Sequence, residues 1–282
     1  MANKRKPPVN KLNNLSSKEW IVETVSVWNQ KGLGRNHPDT KIEKEHPAPF
    51  SYTDIGRLIK FFSKEGGVVL DPFVGIGSTL KACAVNNRAG IGIDLNKKYV
   101  ELSKKRLKDE LTEELLNTNQ KVLLGDSINV IDKLETNSID FIVTSPPYWN
   151  ILNKKDHKAK QERENKGLDT KYSEDKRDLG NIEEYENFLN KLQKIFKKCI
   201  RVLKNEAYMA IVVSDFRDKS EYIMFHADLA YKLKDLGYQI KGMKVLYQRH
   251  KRIFPYGYPY SYVPNIHHQN IIIVQNKKNE KK

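Results

Sequence analysis

Two cysteines, Cys83 and Cys199, are all that the 282 residues contain, and each falls in a segment with helical periodicity. So few thiols exclude a disulfide framework and a zinc site, and they read as core residues; no metal site is expected. No run of ~18 apolar residues occurs, which excludes a membrane-spanning helix. The opening M-A-N-K-R-K-P-P lacks the apolar stretch of a signal peptide, so a soluble, intracellular protein of the cytoplasm is expected. Acidic residues are also in deficit. Against 50 Lys and Arg stand 35 Asp and Glu, a net charge of +15, and a field of that sign attracts a polyanion. No internal repeat is present.

Hydrophobic residues make up 39% of the chain, enough for an ordinary buried core. Ile55, Leu58, Ile59 and Phe62 have helical spacing, and G-V-V-L-D (67–71) is a short strand rich in β-branched residues. The rhythm then repeats: a helix from about Ser78, the strand A-G-I-G-I-D (89–94), a charged helix from about 96, K-V-L-L-G-D (121–126), and I-D-F-I-V (139–143). Short apolar strands alternating with helices predict an α/β fold, a mostly parallel doubly wound sheet covered on both faces. From 150 to 180 lysines and acids crowd together with few apolar residues, which predicts a mobile loop. A long amphipathic helix from about Ile182, a strand over 207–214, a helix near 221–236 and strands near 239–248 and 269–275 follow, the last two forming an antiparallel edge at the C-terminal end. Both chain ends read as solvated tails. The organisation expected is an N-terminal extension over 1–45 and a single domain over 46–282.

The first chemical motif is V-V-L-D-P-F-V-G-I-G-S-T, with Gly75 and Gly77 between a strand and a helix. There an open parallel sheet binds nucleotide-like ligands, and absent side chains let a ligand approach the backbone. Leu80 breaks the dinucleotide fingerprint at its third glycine, and the Gly-Lys-Ser/Thr of a phosphate loop is missing. Asp71 puts a carboxylate at the mouth, which suits an amine-bearing ligand better than a pyrophosphate. Asp94 ends the next strand, where an acid accepts from ribose hydroxyls, and Asp126 ends the one after. Three acids at successive strand ends describe a pocket for a nucleoside carrying an amino acid, S-adenosylmethionine: Asp71 near its amine, Asp94 on the ribose, Asp126 near the adenine. Any one of them alone is equally a helix cap.

The pairing of D-P-F-V-G-I-G-S-T with T-S-P-P-Y-W (144–149), behind H-P-A-P-F-S (46–51), resembles the amino-methyltransferases of DNA. The likeness covers roughly 44–150 and, more loosely, V-V-S-D (212–215) and N-I-H-H-Q-N-I-I-I-V near the end. It implies a Rossmann-like class I methyltransferase fold and double-stranded DNA as partner; whether a cognate restriction endonuclease accompanies it is not legible in this chain. By the same resemblance Phe50, Ser51, Asp71, Phe73, Gly75, Gly77, Asp94 and Asp126 line the cofactor pocket.

T-S-P-P-Y-W then acquires a chemical purpose. An exocyclic amine on a base is a poor nucleophile because its lone pair is delocalised, and acceptors on its two hydrogens draw it towards tetrahedral geometry. The expected acceptors are the Ser145 hydroxyl and the Pro146 carbonyl, held by the fixed φ angles of Pro146 and Pro147. Tyr148 stacks on the extruded base. Ser-Pro-Pro-Tyr is commoner in the family's cytosine-N4 enzymes and Asp/Asn-Pro-Pro-Tyr in its adenine-N6 enzymes, so cytosine N4 is expected. Adenine N6, an exocyclic amine of RNA, and a catalytically silent DNA-binding subunit remain as alternatives. Relatives with these segments often carry the catalytic motif ahead of the cofactor motif; here the order is reversed, which leaves two candidates for target recognition. One is the loop 150–180. The other is the basic aromatic segment 247–262, where Arg249, Lys251 and Arg252 suit phosphates and Tyr256 suits stacking.

Overall fold

The computed structural model describes residues 9–30, 42, 45, 51–151, 173 and 175–277. Its centre is an eight-stranded sheet. In chain order the strands are β1 (Val27–Asn29), β2 (Val68–Asp71), β3 (Ala89–Asp94), β4 (Gln120–Leu124), β5 (Ile139–Thr144) and β6 (Leu203–Val213), then β9 (Gln239–Tyr247) and β10 (His268–Gln275). Between β6 and β9 a small hairpin, β7 (Phe216–Asp218) and β8 (Glu221–Ile223), stands apart from the sheet. The order across the sheet is β1-β9-β10-β6-β5-β2-β3-β4. Strands β4, β3, β2, β5 and β6 run parallel, and β10 runs antiparallel between β6 and β9.

The helices are α1 (Ser17–Glu23), α2 (Tyr52–Phe62), α3 (Ser78–Val85), α4 (Lys97–Glu110), α5 (Glu113–Leu116), α6 (Ser127–Ile131), α7 (Tyr185–Val202) and α8 (Phe225–Asp235). Alternation along the strands divides the core in two. Val69, Phe141, Val143, Ala210 and Val212 face Ile55, Leu58, Ile59 and Phe62 of α2, whereas Leu70, Ile142, Met209, Ile211 and Val213 face α7 and α8. Central strands buried on both faces need apolar residues at consecutive positions, which is why I-D-F-I-V and A-I-V-V read as near-continuous runs. Cys83 and Cys199 lie in these layers, fully buried, and burial pushes the Cys199 thiol up to about 12.

The described part of the N-terminal extension is bound into this fold. Strand β1 pairs in parallel with β9, outside the antiparallel pair, and Asn13 Nδ2 donates to the Phe61 carbonyl at 2.6 Å. Trp28 is 2% exposed, with the Arg57 guanidinium 3.7 Å from its ring centroid. The helix expected near 221–236 starts only at Phe225, because Glu221–Ile223 pairs with β7. The tails at 1–8 and 278–282, the H-P-A-P-F segment, and all of the 150–180 loop between 152 and 174 except Ser173 lie outside the described residues.

Parallel strands bring their carboxyl ends to one edge. Asp71, Asp94, Thr144 and Val213 therefore end on the same side of the sheet, and so do the end of β9 and the start of β10.

Candidate functional site

Asp71 closes β2 and is 2% exposed. Its Oδ1 accepts from the Thr144 hydroxyl at 2.5 Å and from the Phe73 backbone N–H at 3.0 Å, while Oδ2 accepts from the Thr79 hydroxyl at 2.5 Å. Burial raises this carboxyl to about 6 despite those three donors. The group thus ties β2, β5 and α3 together from behind the turn. Pro72, Phe73 and Gly75, rather than Asp71 or Gly77, form this part of the wall of a cavity of about 750 Å³, its open mouth included.

The two glycines do different things. Gly75 has φ +52°, and its N–H donates to Asp94 Oδ2 at 2.9 Å, so the turn after β2 is fastened to the end of β3. Gly77 has φ +82°, and a Cβ there would stand 2.3 Å from the Ser103 hydroxyl, so packing of the turn against α4 demands the glycine.

Asp94 lines the cavity with Asn96, Tyr99 and Asp126. Its second oxygen, Oδ1, accepts from the Asn96 N–H at 2.8 Å. Desolvation, partly offset by these two backbone N–H groups, raises the Asp94 carboxyl to about 7. Asp126 lies two residues beyond β4 as the N-cap of α6, its Oδ1 accepting from the Ile128 N–H at 3.0 Å and its Oδ2 3.9 Å from Lys191 Nζ. A third acid enters from the far side. Asp178 lines the cavity beside Arg177 and Leu179, takes hydrogen bonds from Ser173 Oγ (2.6 Å) and the Gly180 N–H (2.8 Å), and is raised by burial. Ser51 caps α2 in position only, its hydroxyl 2.8 Å from that of Thr53 and away from the cavity wall, and Phe50 lies outside the described residues.

The middle of T-S-P-P-Y-W forms a second wall. Ser145, Pro146, Pro147 and Tyr148 all line the cavity, directly after β5. Trp149 has φ +51° and is buried against Tyr185 and Phe216, with ring centroids 5.3 and 6.0 Å away, so the strained residue is held by packing. Tyr148 is half-buried, edge-on to Phe225 at 6.5 Å, and its Oη lies 3.3 Å from Ser145 Oγ. Gln269 Nε2 donates to the same Oη at 2.8 Å. Past β6, Asp215 is 5% exposed and accepts from His226 Nδ1 at 2.7 Å and from the Tyr222 hydroxyl at 3.2 Å.

The segment between β9 and β10 rises from this same edge. Arg249, Lys251 and Arg252 are exposed, as are Tyr256 (54%), Tyr258 (82%), Tyr260 (94%) and Tyr262 (88%). A pair of hydrogen bonds between Asn265 and the Phe254 backbone, at 2.8 and 2.9 Å, closes the loop.

An open, mostly parallel sheet with an acid-lined cavity at the carboxyl ends of its strands is an α/β arrangement whose ligand crevice lies at that edge. The family model described as DNA methylase matches residues 2–105 and 139–282, and the chain belongs to that family. It is 46% identical over 74 residues to the type II methyltransferase M.HpaI of Haemophilus parainfluenzae, a match covering 26% of this chain and 24% of that one. To the type II methyltransferase M.BglII of Bacillus subtilis it is 29% identical over 122 residues, 43% of this chain and 33% of the relative. The chain thus spans a quarter to a third of the length of these curated relatives. Among solved structures, an S-adenosylmethionine-dependent O-methyltransferase from Thermotoga maritima shares the fold, with a TM-score of 0.51 and 12% identity over 86% of this chain and 72% of that one. Among the described residues no helix is long and apolar enough to cross a membrane.

Proposed function

We propose that this chain transfers a methyl group from S-adenosylmethionine to the exocyclic amine of a base extruded from double-stranded DNA, and that the base is cytosine, methylated at N4. The observation that carries the reading is one cavity with two unlike walls: acids at the ends of β3 and β4, and Ser145 to Tyr148 after β5.

The acid wall fits a cofactor with hydroxyls and amines. Asp94 is ringed by backbone donors rather than by a lysine or arginine, so both oxygens keep acceptor capacity, and its raised pKa is what a buried acceptor without a cation shows. Asp94 would take the ribose hydroxyls, Asp126 the adenine amine, and Phe73 and Gly75 the methionine part. The same wall rejects a phosphate. Asp71 holds the turn that presents Phe73 and Gly75. When bound, S-adenosylmethionine supplies an electrophilic methyl group.

Everything else falls to this chain's own residues. Ser145 Oγ and the Pro146 carbonyl accept the two amine hydrogens and draw the nitrogen out of conjugation; a C–N bond forms, the S–CH3 bond breaks, and one amine proton leaves to solvent. Pro146 and Pro147 fix the backbone, and Tyr148 stacks on the base. Arg249, Lys251 and Arg252 contact phosphates and Tyr256 stacks beside them, which the net charge of +15 and their exposure support. Serine ahead of Pro-Pro-Tyr, in place of an acid or asparagine, supports cytosine. Duplex DNA incubated with the protein and methyl-labelled cofactor, then digested for nucleoside mass spectrometry, is expected to yield N4-methyldeoxycytidine. An N6-methyldeoxyadenosine product would overturn the base assignment, and no labelled nucleoside would overturn the activity.

A further inference from the structure

Gln269 is the polar residue at the catalytic wall that this reading leaves without a task. It is the second residue of β10, 121 positions from Tyr148, and half-buried. Its carboxamide is oriented from both sides. Its Nε2 faces Tyr148 Oη at 2.8 Å, and its Oε1 lies on the other side, 3.5 Å from Gln248 Nε2, which also donates to Gln30 Oε1 at 2.9 Å. A chain of amides from the ends of β1, β9 and β10 therefore terminates on one phenol.

The consequence for that phenol follows from counting donors. A tyrosine hydroxyl carries one proton, and an amide NH2 offers protons without accepting any. With Gln269 donating at 2.8 Å, the Tyr148 proton has to point elsewhere, and Ser145 Oγ is the other partner, at 3.3 Å. Burial, only partly countered by these two neighbours, pushes the Tyr148 phenol up, so the proton is retained at neutral pH. The ring is thereby held by its hydroxyl at one end and by Phe225 at its edge.

We propose that Gln269 is a positioning residue for methyl transfer: by donating to Tyr148 Oη it directs the phenolic proton onto Ser145 Oγ, fixing together the ring that receives the base and the oxygen that receives its amine. The assignment rests on the function proposed above. Its effect belongs in the rate of transfer and not in affinity, because Gln269 touches neither the cofactor wall nor Arg249, Lys251 and Arg252, and meets the 247–262 segment only at the buried Gln248.

A double-mutant cycle on the full chain tests it, using single-turnover methyl transfer together with direct binding of duplex and cofactor. Gln269→Leu is expected to slow transfer roughly tenfold while both dissociation constants stay within about twofold. Gln269→Glu, of the same size, places an acceptor where the donor stood, draws the phenolic proton off Ser145, and is expected to slow transfer at least as much. Tyr148→Phe removes the hydroxyl through which Gln269 acts, so the Gln269→Leu/Tyr148→Phe double variant should be no slower than Tyr148→Phe alone. Losses that multiply in the double variant, or a Gln269→Leu enzyme that is slow only because it binds DNA weakly, would overturn the assignment. Should Gln269→Leu fail to fold, the Gln269→Glu/Tyr148→Phe pair carries the same comparison. Wild-type protein that binds cofactor and DNA yet transfers nothing would instead remove the proposed function, and the assignment with it.

Discussion

The wall that carries Asp94 and Asp126 is made by neighbours in sequence, whereas the wall that carries Ser145 and Tyr148 is made by residues drawn from distant parts of the chain. Gly75 and Asp94 are 19 residues apart, and Asp94–Asn96 and Asp126–Ile128 only two. Behind Ser145 and Tyr148, Thr144 reaches Asp71 over 73 residues, Asn270 reaches towards Asp215 over 55, and Gln269 reaches Tyr148 over 121. The chemistry differs in step. The local wall presents the carboxyls of Asp94 and Asp126 to the cavity, and the non-local wall presents a hydroxyl, two prolines and an aromatic ring. On the proposed function, the self-contained strand-turn-helix device would meet the cofactor and the surface assembled from several strand ends would meet the incoming base.

Asp71 lies behind both walls, bonded to the Phe73 N–H on one side and to the Thr144 hydroxyl on the other, so breaking it should have the largest effect. Asp71→Ala leaves the Thr144 and Thr79 hydroxyls and the Phe73 N–H buried without their acceptor, and should destabilise the fold by about 3–5 kcal/mol in urea titrations. A loss below about 1 kcal/mol would mean the two walls are independent. Next comes the local wall alone. Asp94→Ala should weaken cofactor binding by about 1–3 kcal/mol, measured by calorimetry, and leave duplex affinity unchanged.

A subtler effect of the same carboxyl is pH dependence. Its folded pKa of about 7 lies above the ordinary aspartate value of 3.8, so the native state binds the extra proton between those values. The stability contributed by Asp94 is therefore full below about pH 4 and lost as pH rises through about 7, and Asp71 behaves alike through about 6. Cofactor hydroxyls donating to Asp94 favour its ionised form. Affinity should thus rise by about tenfold in all between pH 6 and 8 and level off above, with proton release visible as a heat that changes with the buffer. Affinity that falls with pH would place the ribose elsewhere. Smallest per residue is the outer surface: Arg249, Lys251 and Arg252 changed together to Ala should flatten the slope of log affinity against log salt by up to about 3, with cofactor binding untouched.

The same local and non-local division sets what could be read from the chain. The strand-helix rhythm, the parallel sheet and the antiparallel pair near the end were legible because buried strands and amphipathic helices each impose a period on a few consecutive residues. Asp94 and Asp126 were legible because an acid at a strand end is a local event. Strand β1 was not: V-W-N is too short to carry a period, and only pairing with β9 makes it a strand. Glu221–Ile223 likewise took its form from β7. Asp178 sits among charged residues that look alike in sequence, and only burial distinguishes it. Gln269 carries no sequence signal at all, since glutamine at the start of a strand gains its meaning from a tyrosine 121 residues away.

The central claim is that Tyr148 receives an extruded base while Ser145 acts on its amine, and one measurement separates the two. Single-turnover transfer of labelled methyl groups is followed for Ser145→Ala and Tyr148→Ala on matched duplexes and on duplexes carrying a mismatch opposite the target, where extrusion costs less. The account predicts that Tyr148→Ala, having lost stacking of about 1–3 kcal/mol, is partly rescued by the mismatch, and that Ser145→Ala, slow in the chemical step with duplex binding nearly intact, is not. Equal rescue of both variants would contradict it.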